Sequence, residues 1–229
     1  MHSFHLVQVP ARVTVRAITR PPREIPGLRH LECLATMRLG APVVSPDRMQ
    51  VRRLAVFAAW ETEAALERFL REHPWGERLA TGWHVRLEFL RRWGHVAEMG
   101  DLPEIAARSD PGEPAVAVTL ARMRMPELPR FVRWGRPVER LVRDHPGTTL
   151  ALAAVRPPRT VSTFSVWRST REMTDMVHGR SDVDAAARHA DAMGERERRD
   201  FHHEFTTLRF RPLSEHGVWE GRGDYTARR

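Results

Sequence analysis

An α+β fold in which one half is copied twice along a single chain follows from three observations. Trp60 closes the apolar run Leu54-Ala-Val-Phe-Ala-Ala-Trp60, and Trp167 closes Val161-Ser-Thr-Phe-Ser-Val-Trp167. Behind each tryptophan stands a helix start, Glu61-Thr-Glu-Ala-Ala-Leu-Glu-Arg-Phe-Leu70 and Arg168-Ser-Thr-Arg-Glu-Met-Thr-Asp-Met-Val177. In the second, Ser169 and Glu172 have capping-box spacing, in which each side chain satisfies an orphan N–H of the first turn. Between the copies, Arg108-Ser-Asp-Pro-Gly-Glu-Pro114 has the composition of a turn-rich linker.

The other elements follow by aligning the copies. Val13 to Thr19 predicts a strand, with Ala115 to Met123 as its counterpart. Pro26 to Met37 and Leu128 to Val142 predict helices on apolar periodicity. Trp83 to Trp93 and Phe205 to Leu213 predict the closing strands. Each half then reads β-α-β-β-α-β, the ferredoxin-like motif. Two tandem repeats of it are expected to pair their sheets into one intramolecular dimeric α+β barrel. The expected organisation is a first repeat over 1–107, a linker over 108–114 and a second repeat over 115–222 carrying the site. The polar tail over 223–229, with Tyr225, is expected to fray.

Composition narrows the function classes. In a chain of 229 residues, 41% hydrophobic and 29% charged residues exclude a disordered polypeptide. No apolar run approaches the roughly 20 residues of a membrane span, and Met1-His-Ser-Phe-His-Leu-Val-Gln-Val-Pro10 lacks a signal-peptide core. A cytoplasmic location is the expectation. The net charge is +8, and all 37 basic residues are arginine, with lysine and asparagine absent. That bias matches a GC-rich coding sequence, and Arg alternates with acid in Glu195-Arg-Glu-Arg-Arg-Asp200, as on a solvated face. No nucleic-acid partner is expected, because no binding motif accompanies the charge. The excess is compatible with anionic ligands or peripheral contact with an anionic membrane. The single cysteine, Cys33, excludes an internal disulfide and a cysteine zinc cluster, and is expected to be inert in the apolar part of the first helix. A barrel that closes internally suits a monomer or a homodimer.

Strand alternation locates a candidate pocket. Leu54, Val56, Ala58 and Trp60 share one face of the first copy, Ala55, Phe57 and Ala59 the other. In the second copy Ser162, Phe164 and Val166 are expected to carry helices. Val161, Thr163, Ser165 and Trp167 are expected to face the barrel interior, where small polar groups line a cavity.

Thr163-Phe-Ser-Val-Trp-Arg-Ser169 with Met173, then Phe210-Arg-Pro-Leu213, then Gly217-Val-Trp-Glu-Gly221, resemble the motifs of the spheroidene monooxygenase family of dimeric α+β barrels. The resemblance covers about residues 160 to 222. It implies a haem cofactor between sheet and helix, a histidine axial ligand, and an oxidation using O2 or peroxide on a hydrophobic small molecule. Arg180-Ser-Asp-Val-Asp184 stands where that family has a Pro-His pair, so the ligand is sought among this chain's other histidines.

His178, at the end of the capped helix on the flank of the Met173/Met176 stripe, is the first candidate for the iron; it equally suits a helix C-cap. His189 lies in line with Ala186 and Met193 and is the second candidate. His202 and His203 alternate to opposite faces before the last strand, and one of them with Glu204 or His189 is a third, weaker metal arrangement. Arg168 is a candidate propionate clamp, as are Arg209 and Arg211, which share a face. Trp167 is a candidate for stacking on a flat cofactor, whereas Trp60, Met173 and Met176 read as core. Thr163 and Ser165 would shape the distal side. No P-loop, dinucleotide fingerprint, nucleophile elbow or His-Glu-x-x-His is present. The expectation is a haem-dependent oxygenase; the alternatives are a haem-dependent aldoxime dehydratase and a barrel that binds haem or an apolar ligand without turnover.

Overall fold

The computed structural model describes residues 1–42, 45, 48–183 and 186–227. Asp184, in the segment that departs from the family motif, and the last two residues of the tail lie outside these. The first half runs β1 (His2–Gln8), α1 (Ala11–Thr19), β2 (Leu28–Met37), β3 (Met49–Trp60), α2 (Glu63–Glu72), α3 (Pro74–Ala80) and β4 (Trp83–His95). The second runs β5 (Ala115–Met123), α4 (Leu128–Asp144), β6 (Thr148–Arg156), β7 (Thr160–Trp167), α5 (Thr170–Val177), α6 (Arg188–Arg198) and β8 (His202–His216). The strands close into one antiparallel barrel in the order β1-β3-β2-β6-β7-β5-β8-β4. Each half therefore supplies four adjacent strands in the same internal order, an α+β barrel built from two ferredoxin-like halves.

Two predicted elements change type. Val13–Thr19 lies in helix α1, and Leu28–Met37 is strand β2 rather than a helix. The strand that opens the first half is instead His2–Gln8. The β-branched residues of α1 imitate a strand, but its buried positions, Thr14 and Ala17, have helical spacing behind Pro10. In β2 the buried run from Glu32 to Thr36 is continuous, because both faces of this strand are covered. Cys33 thus lies on a strand, and burial pushes its thiol up to about 12, which leaves it unreactive.

Facing is also reversed from expectation. Phe164 and Val166 point into the barrel with Phe4, Leu6, Ala55, Phe57, Trp83, Val85, Val118, Leu152, Leu208 and Phe210. The Phe4 and Phe164 rings stack with centroids 3.7 Å apart. Val161, Thr163, Ser165 and Trp167 therefore lie on the outer, helix-bearing face. The interior is a packed core and not a pocket. One end is closed by Trp219 and by Tyr225, which is 4% exposed and donates its hydroxyl to the Trp219 carbonyl at 2.6 Å. The tail there is not frayed, because the Glu215 carboxylate accepts from the backbone N–H groups of Tyr225 and Thr226.

The halves meet along two unequal seams. β4 and β8 pair from His84↔His216 to His95↔Phe205, whereas β2 and β6 pair only from Ala35↔Val155 to Met37↔Ala153. The short seam is reinforced by ions. Glu32 on β2, 1% exposed, bonds Arg122 on β5 and, at 3.0 Å, Arg156 on β6. Arg122 also pairs with Glu98 and donates to Thr160 Oγ1 at 3.1 Å. On the helix side, Arg48 forms a two-pronged pair with Glu139 of α4, at 2.7 and 3.2 Å. Among the described residues no helix is long and apolar enough to cross a membrane.

Candidate functional site

With the interior filled, space for a ligand must be sought between sheet and helices, and there the two halves differ. In the first half Leu54, Val56, Ala58 and Trp60 pack against Leu66, Phe69 and Leu79, all buried. In the second half the equivalent layer splits in two. Ala115, Leu141, Trp167, Met173 and Met176 form one cluster, and Ala121, Met123 and Phe201 form the other.

Between these clusters lie two rows of mostly small side chains. One row crosses Trp93, Thr207, Thr119, Thr163 and Ala153; the next crosses Arg91, Arg209, Ala117, Ser165 and Ala151. Thr163 is exposed, and Thr119, Thr207 and Ala117 are half-buried. Thr119 Oγ1 and Thr207 Oγ1 are 3.2 Å apart.

Helix α4 covers this floor loosely. Of its 17 residues only Leu141 is buried, and Phe131, Trp134 and Val138 are half-buried. An amphipathic helix whose apolar stripe is so incompletely covered leaves room beneath it. Beside it Trp134, Pro137, Ala187, Arg188 and Asp191 line an open recess of about 360 Å3 between α4 and α6. The threonine row and the half-buried apolar side of α4 together define a candidate trough, whose hydroxyls and apolar wall would suit an oily molecule carrying a few polar groups.

The predicted site residues divide around this trough. Thr163 stands in its floor. Ser165 is buried and its Oγ accepts from Trp167 Nε1 at 2.9 Å. Trp167, 1% exposed, is packed on every side, against the His145 ring 5.1 Å away among others, and offers no face for stacking. Arg168 points to solvent and pairs with Glu172 at 3.2 Å, away from the floor. Ser169 caps α5 as its spacing predicts, accepting from the Glu172 N–H at 3.1 Å. His178 is the C-cap of α5 and is exposed.

His189 is placed differently. Its Nδ1 donates to the Val177 carbonyl at 3.0 Å, which fixes the tautomer, and burial lowers its pKa so that it stays neutral. Arg209 lies on the outer face and reaches Thr174 Oγ1 at 3.4 Å, whereas Arg211 is taken up by Glu88 and Glu113. His202 bonds Asp200 through Nδ1 at 2.9 Å, and burial holds its pKa down at about 4. His203 is exposed. Among the described residues no three histidine, cysteine or acidic side chains are grouped to hold a metal.

Sequence reasoning missed Thr119, Thr207, Arg91 and Trp93. Alternation along Ala115–Met123 and Phe205–Leu213 puts Thr119 and Thr207 on helix-facing positions; only the register that sets them side by side was absent. The chain matches no family model and no curated protein. Among solved structures, a monooxygenase candidate from Fusobacterium nucleatum aligns over 96% of this chain and 94% of its own, with 9% identity and a TM-score of 0.42. A ferredoxin-fold protein from Listeria monocytogenes, related to antibiotic biosynthesis monooxygenases, aligns over 93% and 96%, with 10% identity and a TM-score of 0.30. A heme-degrading enzyme from Listeria monocytogenes aligns over 90% and 98%, with 10% identity and a TM-score of 0.29. The fold assignment rests on this chain's own strand order.

Proposed function

We propose that the chain is a haem-dependent oxygenase acting on a hydrophobic small molecule held in the trough of the second half. The observation that carries the proposal is the interrupted core there, with a floor of Thr119, Thr163 and Thr207 under an incompletely covered α4. The motif resemblance around Phe164-Ser-Val-Trp-Arg-Ser169 supports it. The residues fit a haem in one respect that matters: His189 is a neutral imidazole whose Nδ1–H is held by a backbone carbonyl, the arrangement that leaves Nε2 as donor to iron. His189, rather than the exposed His178, would therefore hold the iron in this proposal.

Bound haem would supply the oxidising chemistry with O2 or peroxide. The protein's own groups do the rest. The Phe131, Trp134 and Val138 side of α4 holds the apolar substrate and excludes water, and the Thr119, Thr163 and Thr207 hydroxyls orient its polar groups by hydrogen bonding. Haemin added to the purified protein is expected to give a sharp Soret band that His178→Ala keeps and His189→Ala loses. No band, or a band indifferent to His189→Ala, overturns the haem assignment. Product formed from hydrophobic substrates with reductant and O2 supports the oxygenase; turnover of an aldoxime without O2 would indicate the dehydratase, and haem binding without product a carrier.

A further inference from the structure

Arg91 and Arg209 stand opposite each other across the β4–β8 ladder, on the outer face of the sheet. The Trp93 ring lies 4.1 Å from the Arg91 guanidinium and 5.0 Å from that of Arg209. Among the described residues neither arginine has a carboxylate partner, and the Nε atoms of both are buried without a hydrogen bond. The remaining polar contact of the Arg209 side chain is the 3.4 Å bond to Thr174 Oγ1. Several other partly buried arginines of the barrel are matched by acids: Arg211 by Glu88 and Glu113, Arg86 by Glu63 and Glu67, Arg122 and Arg156 by Glu32, while Arg92 donates to the Leu102 and Gly94 carbonyls. Burial and the neighbouring Arg91 charge push the Arg209 pKa down to about 10. Two like charges half withdrawn from water, with idle N–H donors, are unfavourable unless an anion joins them.

The position of the pair gives it a use. Trp93 is opposite Thr207, and Arg209 is opposite Ala117, so both rows lead directly onto the trough floor. Trp93 is 39% exposed, which leaves the pair open to a ligand entering from that side. We infer that Arg91, Trp93 and Arg209 form an oxyanion subsite that takes the carboxylate or phosphate of an amphipathic ligand, with its apolar part in the trough. The oxyanion subsite stands on the arginine pair alone; the placement of the apolar part rests on the function proposed above. An oxyanion with two or more acceptor oxygens satisfies two guanidinium forks at once, which water does less well.

Two titrations test this. Orthophosphate at constant ionic strength is expected to raise the melting temperature of the wild type, but not that of Arg91→Met or Arg209→Met. Both variants should themselves melt no lower than the wild type without phosphate, since each removes an uncompensated charge. By calorimetry, dodecanoate should bind the wild type at least about tenfold tighter than methyl dodecanoate, a gap of about 1.4 kcal/mol, and each variant should lose that preference. No phosphate effect in the wild type, or one that survives in both variants, overturns the subsite. A phosphate effect with equal binding of acid and ester overturns the amphipathic ligand and leaves a free-anion site. Neither readout uses haem, so an absent Soret band would refute the haem proposal and leave this result standing.

Discussion

Glu32 offers the sharpest energetic test of how the two halves are joined. It is 1% exposed, it bonds Arg122, itself 8% exposed, and it reaches Arg156 at 3.0 Å. Glu32→Ala removes the shared carboxylate. The Arg156 side chain, 32% exposed, can turn to water, whereas Arg122 stays buried with Glu98, which is largely solvated, as its remaining acid partner. Breaking a buried pair by deleting one member costs about 3–5 kcal/mol. For a chain of this size each kcal/mol lowers the melting temperature by about 2–4 °C, so a fall of roughly 6–20 °C is expected. The assay is thermal unfolding followed by far-UV circular dichroism at pH 7. The double variant Glu32→Met with Arg122→Met removes both desolvated charges and should recover most of the loss, because apolar groups of similar volume replace a buried pair at little cost. A single-variant loss below about 1 kcal/mol, or a double variant no more stable than the single, would refute the assignment of Glu32 as a buried ionic stitch.

Two further outcomes follow from other side chains. His2 has both ring nitrogens buried without partners, and burial holds its pKa down at about 3. Since the unfolded imidazole titrates near 6.5, the stability from the neutral ring is full above that value and falls by about 1.4 kcal/mol per pH unit as pH drops from 6.5 towards 3. His2→Phe should flatten this part of a stability-versus-pH curve measured by denaturant unfolding; an unchanged slope would show that His2 is solvated. Thr163→Phe, at an exposed position in the trough floor, should leave stability within about 0.5 kcal/mol and abolish haemin and dodecanoate binding, and binding at wild-type affinity would move the ligand elsewhere.

What could be read from the sequence was local. The capping pair Ser169 and Glu172 is where its spacing puts it. The repeat signalled by Trp60 and Trp167 holds in the fold, each closing its third strand, and each indole N–H donates to a serine Oγ at 2.9 Å, although from non-equivalent positions, Ser3 on β1 and Ser165 on β7. What could not be read was set by neighbours in space. Strand β7 is largely buried on both faces, so alternation alone did not say which face is inward; the stacking of Phe164 on Phe4 decides it. Segment 13–19 carries strand-forming residues on a helix because Thr14 and Ala17 must meet β2 and β3. Arg91 and Arg209 are far apart in sequence and gain meaning only once β4 and β8 are adjacent. His189 and His178 were distinguishable only through their exposure and the Val177 carbonyl, neither of which a side-chain pattern reveals.

The inequality of the two seams has a consequence for how the barrel breathes. Along β4–β8 a long ladder ties the chain's middle to its end, and its amides should exchange with solvent only on global unfolding. Along β2–β6 three residues on each strand share a ladder, and side-chain ions do most of the joining. Opening should therefore start at Ala35–Met37 and Ala153–Val155, turning the closed cylinder into a curved ribbon hinged on β4–β8. Loss of the Glu32 carboxylate, which Arg122 and Arg156 share, should widen that slit first. Helix α4, anchored to the first half through Glu139 and Arg48, spans the slit, so opening it would also shift the apolar wall of the trough.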